Sequence, residues 1–368
     1  MGYQQCNRCV MDNASDETIT FDEEGYCNYC TEAISTLSER YFPNEIGAQK
    51  LQELLITLKK EGKNKKYDCI MGISGGLDSA YLAYLGHQHG LRILAIHVDD
   101  GLDVPIAVEN IKKLTEKCGI DVIYERPDAE QFYGLTKAFF KAGVPNLAVP
   151  QDNLIYAYMY AYAKKYKIQY YLSGGNFSTE SILQRGNTHT SLDKKHIFAI
   201  NKQFGTTALN KLKITSGFER RVKNQLLLRI QEVRPLDYID YNKESAIQEL
   251  SDYCGFNYYG GKHYESYLTV FMQKYYLPLK FGVDKRRSHL SSLIVSGQMT
   301  RDEAIEELKK PLYLKEEMDI CIEKILKIFR MDVNEFDRIM QQQPKQHTQY
   351  VTSSWKYVSK IVKKIRGY

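Results

Sequence analysis

The pattern of hydrophobic and polar positions switches period twice along the chain. Leu51, Leu54, Leu55 and Leu58 recur at helical spacing before the charged, Gly-containing run 59–66, which predicts a helical connector over residues 36–66. The pattern then changes to short apolar runs alternating with helical stretches. Residues 67–73 read as a strand, 74–79 as a tight Gly turn and 80–89 as a helix. Further strands are predicted at 93–98, 121–124, 168–172 and 232–236, with helices near 105–118 and 152–166 between them. Alternating strands and helices call for a mostly parallel sheet covered by helices on both faces. From about residue 240 the period returns to helical, with helices predicted at 243–254, 264–276, 301–308, 314–329 and 333–341. No internal repeat or low-complexity linker interrupts this order.

Composition narrows the class. The chain has 368 residues, 43% hydrophobic and 26% charged, which fits a folded protein with more than one unit. The divisions expected are a cysteine knuckle over 1–35, the connector over 36–66, an α/β domain over 67–240 and a helical region over 241–368 that completes a substrate site. No apolar run is long enough for a membrane span. The first residues have neither the basic nor the apolar segment of a secretion signal, so a cytoplasmic chain is expected. A net charge of +5 suits a small anionic substrate and counts against a nucleic-acid partner.

The cysteines carry the first specific chemistry. Cys6, Cys9, Cys27 and Cys30 form two C-x2-C pairs, a spacing that turns four thiolates toward one point, and residues 21–26 between them read as a hairpin turn. In a reducing compartment a Zn2+ site is a better reading than disulfides, and an all-cysteine site leaves no open position for catalysis. Cys69, Cys118, Cys254 and Cys321 are scattered and read as small buried hydrophobes.

The second motif is Gly72-Ile73-Ser74-Gly75-Gly76-Leu77-Asp78-Ser79, set between a strand and a helix. Glycines there let backbone approach a phosphate, and the helix N-terminus offers free N–H donors. It lacks the lysine of a Walker A loop and the third glycine of a dinucleotide-binding turn. The run Ser74-Gly75-Gly76-x-Asp78-Ser79 resembles the PP-loop of ATP pyrophosphatases. That resemblance implies an adenine nucleotide alpha hydrolase-like α/β fold. It also implies ATP held by Ser74, Gly75, Gly76, Asp78 and Ser79, with Mg2+ bridging to Asp78. Asp99 at the end of the second strand is a candidate for the adenine or ribose edge, and Gly174 and Gly175 after the fourth strand for the opposite side of the cleft. Lys285 and Arg286 are candidates to neutralise the departing pyrophosphate.

Taken together, the Cys6-Asn7-Arg8-Cys9 knuckle, the PP-loop, Gly174-Gly175-Asn176 and the run Gly260-Gly261-Lys262-His263-Tyr264-Glu265-Ser266 resemble the N-acetyl sugar amidotransferases of bacterial surface-polysaccharide synthesis. The resemblance implies adenylation of an N-acetyl carbonyl oxygen on a UDP-linked sugar, release of pyrophosphate and displacement of AMP by ammonia. It makes Asn176, Glu180, His263 and Glu265 candidates for substrate orientation or proton removal. No cysteine of the chain sits in a glutaminase nucleophile motif, so ammonia is expected from a separate glutaminase subunit, with a cyclase-like partner as the resemblance implies. A rival reading, tRNA thiolation, also joins paired knuckles to a PP-loop, but Cys69 and Cys118 lack the paired spacing it calls for. A zinc-ribbon binding module on an inactive nucleotide fold is disfavoured by the intact Ser74, Asp78 and Ser79.

Overall fold

The computed structural model describes residues 2–354, so the end of the predicted C-terminal region, 355–368, lies outside the described residues. The second cysteine pair opens α1 (Asn28–Arg40), with Cys27 as its N-cap and Cys30 in its first turn, and α2 (Glu45–Gly62) follows; the break between them falls where Asn44 caps α2. Then come β1 (Cys69–Gly72), α3 (Leu77–Gln88), β2 (Ile93–Val98), α4 (Pro105–Cys118) and β3 (Asp121–Glu125). Next are α5 (Ala129–Ala142), α6 (Val149–Lys165), β4 (Tyr170–Leu172), α7 (Phe177–Glu180), α8 (Lys194–Phe204), β5 (Gln231–Val233) and α9 (Lys243–Cys254). The chain continues through α10 (Tyr267–Phe271), α11 (Leu277–Phe281), α12 (Arg286–Val295), α13 (Arg301–Lys309), α14 (Lys315–Phe329) and α15 (Val333–Gln341). The helix predicted at 264–276 is displaced: α10 starts at Tyr267 and runs through a wide-turn segment, Met272–Tyr276, into α11. α5, α8 and α12 are helices beyond those predicted from the hydrophobic pattern.

The five strands are all parallel, in the order β3-β2-β1-β4-β5. Side chains alternate across a strand, and the sheet is buried on both sides as a result. Ile70, Leu94 and Ile96 face a layer built on α5 and α6, with Phe132, Phe139, Phe140 and Leu154. Cys69, Met71 and Ala95 face the opposite layer, with Leu55, Leu58, Leu82, Ile111 and Leu250. The C-terminal helices extend the first layer, since Phe271, Tyr276, Ile325, Phe329 and Phe336 pack into the same apolar cluster. Successive strands run outward from β1 in one direction to β3 and in the other through β4 to β5. The chain therefore reverses between β1 and β4, and a crevice opens at their carboxyl ends.

The segment after α15 is fastened back onto this body by histidines. The Asn146 amide donates to His347 Nε2 at 3.2 Å, so that nitrogen must be unprotonated. His347 Nδ1 then donates to His196 Nε2 at 3.0 Å, and His196 Nδ1 donates to the Val351 carbonyl at 3.1 Å. Each bond fixes the next tautomer, and the chain works only with both rings neutral. Burial first, and the charge of neighbouring His189 second, push His347 down to about 2; the same two causes lower His196, against Asp193. A histidine depressed in the folded state stabilises above its unfolded pKa of about 6.5, and that contribution is lost as pH falls below it. Protection from hydrogen exchange across residues 343–353, corrected for the intrinsic rate, is expected to fall between pH 6.5 and 5 while β1 and β2 stay protected. Uniform protection over that range would show that the histidine chain does not hold the segment.

Candidate active site

The crevice at the ends of β1 and β4 is built around the turn from β1 into α3. Gly75 has φ +77°, and a Cβ on it would lie 2.2 Å from the Ala107 carbonyl oxygen, so only glycine fits. Gly76 is the N-cap of α3 and supplies no side-chain cap. The Leu77 amide donates to the Tyr259 hydroxyl at 3.1 Å, and the other amides of that first turn are left for an anion. Ser74 Oγ and Ser79 Oγ lie 3.3 Å apart across the turn. Gly174, after β4, packs so closely that a Cβ would sit 3.2 Å from the Asp78 carbonyl carbon. The second glycine pair thus forms the facing wall.

Two cavities meet at this turn. The smaller, about 220 Å³, is lined by Ser74, Gly76, Asp78, Ser79, Gly174, Gly175, Glu180, Tyr259 and Lys262. The larger, about 450 Å³, runs along the ends of β1 and β2 past Gly72, Ile73, Ile96, His97 and Val98 to Gln151, Asp152, Asn187, Gln273 and Lys285. Ser74, His263 and Glu265 line both.

Lys262, to which no sequence motif gives a role, organises the smaller cavity. Its Nζ lies 2.8 Å from Asp78 Oδ2, 3.0 Å from Glu180 Oε1 and 2.6 Å from Thr179 Oγ1. Burial alone would depress the ammonium, but Asp78 and Glu180 outweigh it and hold Lys262 above its ordinary value. Burial likewise pushes Asp78 up, while Lys262 and the Tyr241 hydroxyl, donating at 2.6 Å, bring the carboxyl below its usual range. Both carboxylates turn one oxygen to the Lys262 ammonium, and their hard oxygens are the donor type that suits Mg2+ beside phosphates. At the junction, His263 adopts φ +63° and stands 3.8 Å from both Glu180 and Glu265. Burial opposes its protonation, but Glu265 raises it; Glu265, which also accepts from Ser74 Oγ at 3.2 Å, is lowered in turn despite burial. Deeper in the larger cavity, burial pushes Lys285 down to about 8 and Asp152 up to about 6.

Three of the sequence candidates are corrected here. Arg286 does not reach either cavity: its guanidinium is held by Asp284, two residues earlier, and by the carbonyls of Glu307, Leu308 and Lys310 at the end of α13. A run of basic residues shows charge but not direction. Asp99 turns away from the larger cavity to pair with Arg126 at 2.7 Å, and the strand end instead offers His97, bonded to Asp103 and to the Ile73 carbonyl. Asn176 is fully buried as the N-cap of α7; its side chain accepts from the Thr179 amide and hydroxyl and donates to the Gly174 carbonyl. It shapes the glycine wall and lines neither cavity. Asp78, Ser74, Gly75, Gly76, Ser79, Gly174, Gly175, Glu180, His263 and Glu265 do come together at the turn, with Lys285 at the far end of the larger cavity.

The four knuckle cysteines are all buried, and their sulfurs lie within 4.8 Å of one another. Cys6 Sγ to Cys30 Sγ is 3.7 Å and Cys9 Sγ to Cys27 Sγ is 3.6 Å. A tetrahedron of thiolates with bonds of about 2.3 Å to Zn2+ has edges of roughly 3.8 Å, so the cluster fits that ion. Backbone amides of Arg8, Cys9 and Cys27 point at Cys6 Sγ from 3.2–3.4 Å, the donors a thiolate calls for. Among the described residues no helix is long and apolar enough to cross a membrane.

The chain is similar to solved structures of an NMN synthetase from Francisella tularensis (17% identity, 56% of this chain and 92% of that one, TM-score 0.29). It is also similar to an NH3-dependent NAD synthetase from Campylobacter jejuni subsp. jejuni (16% identity, 56% and 93%, TM-score 0.29). A third is an NAD+ synthetase from Burkholderia pseudomallei (12% identity, 61% and 94%, TM-score 0.31). No curated protein matches the sequence. Residues 264–362, which begin beside the His263–Glu265 junction and take in α10 to α15, match the family model of the LPS biosynthesis protein WbpG-like, C-terminal domain.

Proposed function

We propose that the chain is an ATP-dependent amidotransferase that converts the N-acetyl group of a UDP-linked sugar into an acetamidino group for surface-polysaccharide synthesis. The observation that carries this reading is the pair of cavities joined at Ser74, His263 and Glu265. The smaller has the size for a β,γ-pyrophosphate, with backbone amides of the α3 N-terminus and two serine hydroxyls as donors and the Lys262 ammonium as a fixed positive charge beside them. The larger has apolar strand ends for a nucleoside and an amide- and hydroxyl-rich far end for a second, polyhydroxylated substrate. The α-phosphate then falls at the junction, where an amide oxygen can attack it. Attack forms a bond from the amide oxygen to the α-phosphorus and breaks the bond to the β-phosphate bridging oxygen, which leaves as pyrophosphate. An amide oxygen is a poor leaving group; as a phosphate ester it becomes a good one.

Asp78 and Glu180 would hold Mg2+, which supplies charge neutralisation on the departing phosphates. Ammonia would come from a separate glutaminase subunit, with a cyclase-like partner. The match of the C-terminal region to an LPS biosynthesis domain supports the surface-polysaccharide setting.

The test is pyrophosphate release from ATP with Mg2+ and ammonium, with a UDP-linked di-N-acetyl sugar or bulk tRNA as acceptor. Release with the sugar alone, together with AMP and a product in which NH replaces O, is expected. Release with tRNA alone would replace this reading with base modification at the same loop.

A further inference from the structure

Resting on the amidotransferase reading, one carboxylate of the larger cavity acquires a role that no motif assigned. The acidic side chains there are Asp103, Asp152 and Glu265. Asp103 faces His97 Nε2 at 3.2 Å, and Glu265 accepts from Ser74 and faces His263. Glu180, at the junction's other side, is bound to Lys262. Asp152 alone among these makes no side-chain hydrogen bond or ion pair with any described residue. Its position is nonetheless rigid. On one side Gln151 donates to Asp100 Oδ2 at 2.7 Å. On the other, Asn153 donates to the Ser191 carbonyl at 2.6 Å and the Thr215 carbonyl at 2.9 Å. The first turn of α6 is clamped on both flanks, and the carboxyl between the clamps is left for the cavity.

The reaction needs such a group. The adenylated N-acetyl carbon, with its nitrogen protonated, is attacked by the lone pair of NH3. The C–N bond forms, and the π pair of the carbon–nitrogen double bond moves to the sugar nitrogen. The attacking nitrogen now carries a positive charge and must lose one proton before the C–O bond breaks and AMP leaves with that pair. The product is a cationic amidinium, one charge more positive than the amide it replaces. A carboxylate with no other partner answers both demands. It accepts the proton, and it provides a negative group for a cation that was not present in the substrate. We propose that Asp152 is the proton acceptor for the incoming ammonia and part of the counter-charge for the amidinium product.

Its chemistry is suited to the task. Burial pushes the carboxyl up to about 6, opposed by the charge of His263, so it is ionised at neutral pH yet basic enough to take a proton. The other charged groups of the cavity, the His97–Asp103 pair, Lys285, His263 and Glu265, remain in an Asp152→Asn chain.

The two halves of the reaction separate the possibilities, with the UDP-linked di-N-acetyl sugar, ATP, Mg2+ and ammonium as reactants. In Asp152→Asn, amidine formation is expected to fall by about 10²–10⁴-fold, the usual contribution of a general base. The single-turnover burst of pyrophosphate is expected to stay within about threefold. At constant free NH3 the wild-type rate is expected to decline below about pH 6, and this limb should vanish in Asp152→Asn and persist in Asp152→Glu. An Asp152→Asn chain with unchanged turnover and an intact acid limb would overturn the assignment. So would equal loss of the burst and of amidine, which marks a binding or structural residue. If wild-type protein gives no sugar-dependent burst, the amidotransferase reading fails first and the role of Asp152 falls with it.

Discussion

Replacing Lys262 with methionine is expected to lower sugar-dependent pyrophosphate release by about 10²–10³-fold, the range seen when one preorganised donor to a developing anion is removed. The substitution keeps most of the apolar stem and deletes the charge together with the hydrogen bonds that Nζ donates. Two consequences follow from the geometry. The leaving pyrophosphate loses the cation closest to the PP-loop, and Asp78 and Glu180, held 2.8 and 3.0 Å from that cation, face each other without it. Lys262, Asp78 and Glu180 expose only 13%, 20% and 19% of their side chains, so water compensates little. Breaking a buried pair by removing one partner costs about 3–5 kcal/mol, and a melting temperature several degrees lower should accompany the loss of rate. The double variant Lys262→Met, Asp78→Asn separates the effects. It removes one of the two stranded charges, and with it their mutual repulsion, and should recover part of the stability while remaining inactive. Recovery of activity in the double variant would mean that Lys262 serves only to neutralise Asp78. Full activity in the single variant would remove it from the site altogether.

Lys262 also shows where legibility in the sequence ended. The sheet was readable because its strands are buried on both faces: runs such as Ile93–Val98 are apolar throughout, and their bounds follow from the flanking Gly and Asp residues. α4 was readable from Pro105 at its start and the left-handed Gly119 at its end. The phosphate turn was readable because Gly75 and Gly174 answer local steric demands. Ion pairing is different. Lys262 meets Asp78 across 184 positions of chain, and no spacing rule links them. Arg286 failed for the converse reason, since its partner Asp284 was in plain view but a basic run was taken as a surface pointing at a ligand. Asn176 carried a recognisable signal that went unused: an Asn followed three residues later by Thr179 at the start of a short helix is an N-cap, and a cap spends its side chain on backbone. α5 was similarly available, with Asp128 capping its start, Gly143 at its end and Phe132, Leu135 and Phe139 on one face.

Replacing Cys27 with serine is expected to reach the active site from the other end of the chain. The knuckle does not stand apart from the catalytic crevice. Arg301, at the start of α13, donates to the carbonyls of Cys6 and Cys9 at 3.0–3.2 Å. Arg287, in the first turn of α12, donates to the Val10 carbonyl at 2.8 Å and pairs with buried Asp12 at 2.9 Å. Ser291 accepts from the Val10 amide at 3.2 Å. α12 in turn carries Ser292, which accepts from the Ile182 amide just beyond α7, and Lys285 immediately precedes it at the end of the larger cavity. The knuckle backbone can hold these bonds only while its four sulfurs are drawn together, because four close thiolates without a cation repel. Structural Zn2+ drives folding of isolated zinc-finger peptides by about 10–16 kcal/mol at pH 7. Loss of even about 5 kcal/mol should lower the melting temperature by on the order of 10 °C in a chain of this size. Purified wild-type protein is expected to contain one zinc per chain and Cys27→Ser none. Amide exchange should quicken along residues 286–295 and 177–182 in the variant, with β1 and β2 unaffected at low temperature. Metal loss with unchanged exchange in α12 would confine the knuckle to its own fold; faster exchange there would make it a brace for the substrate cavity.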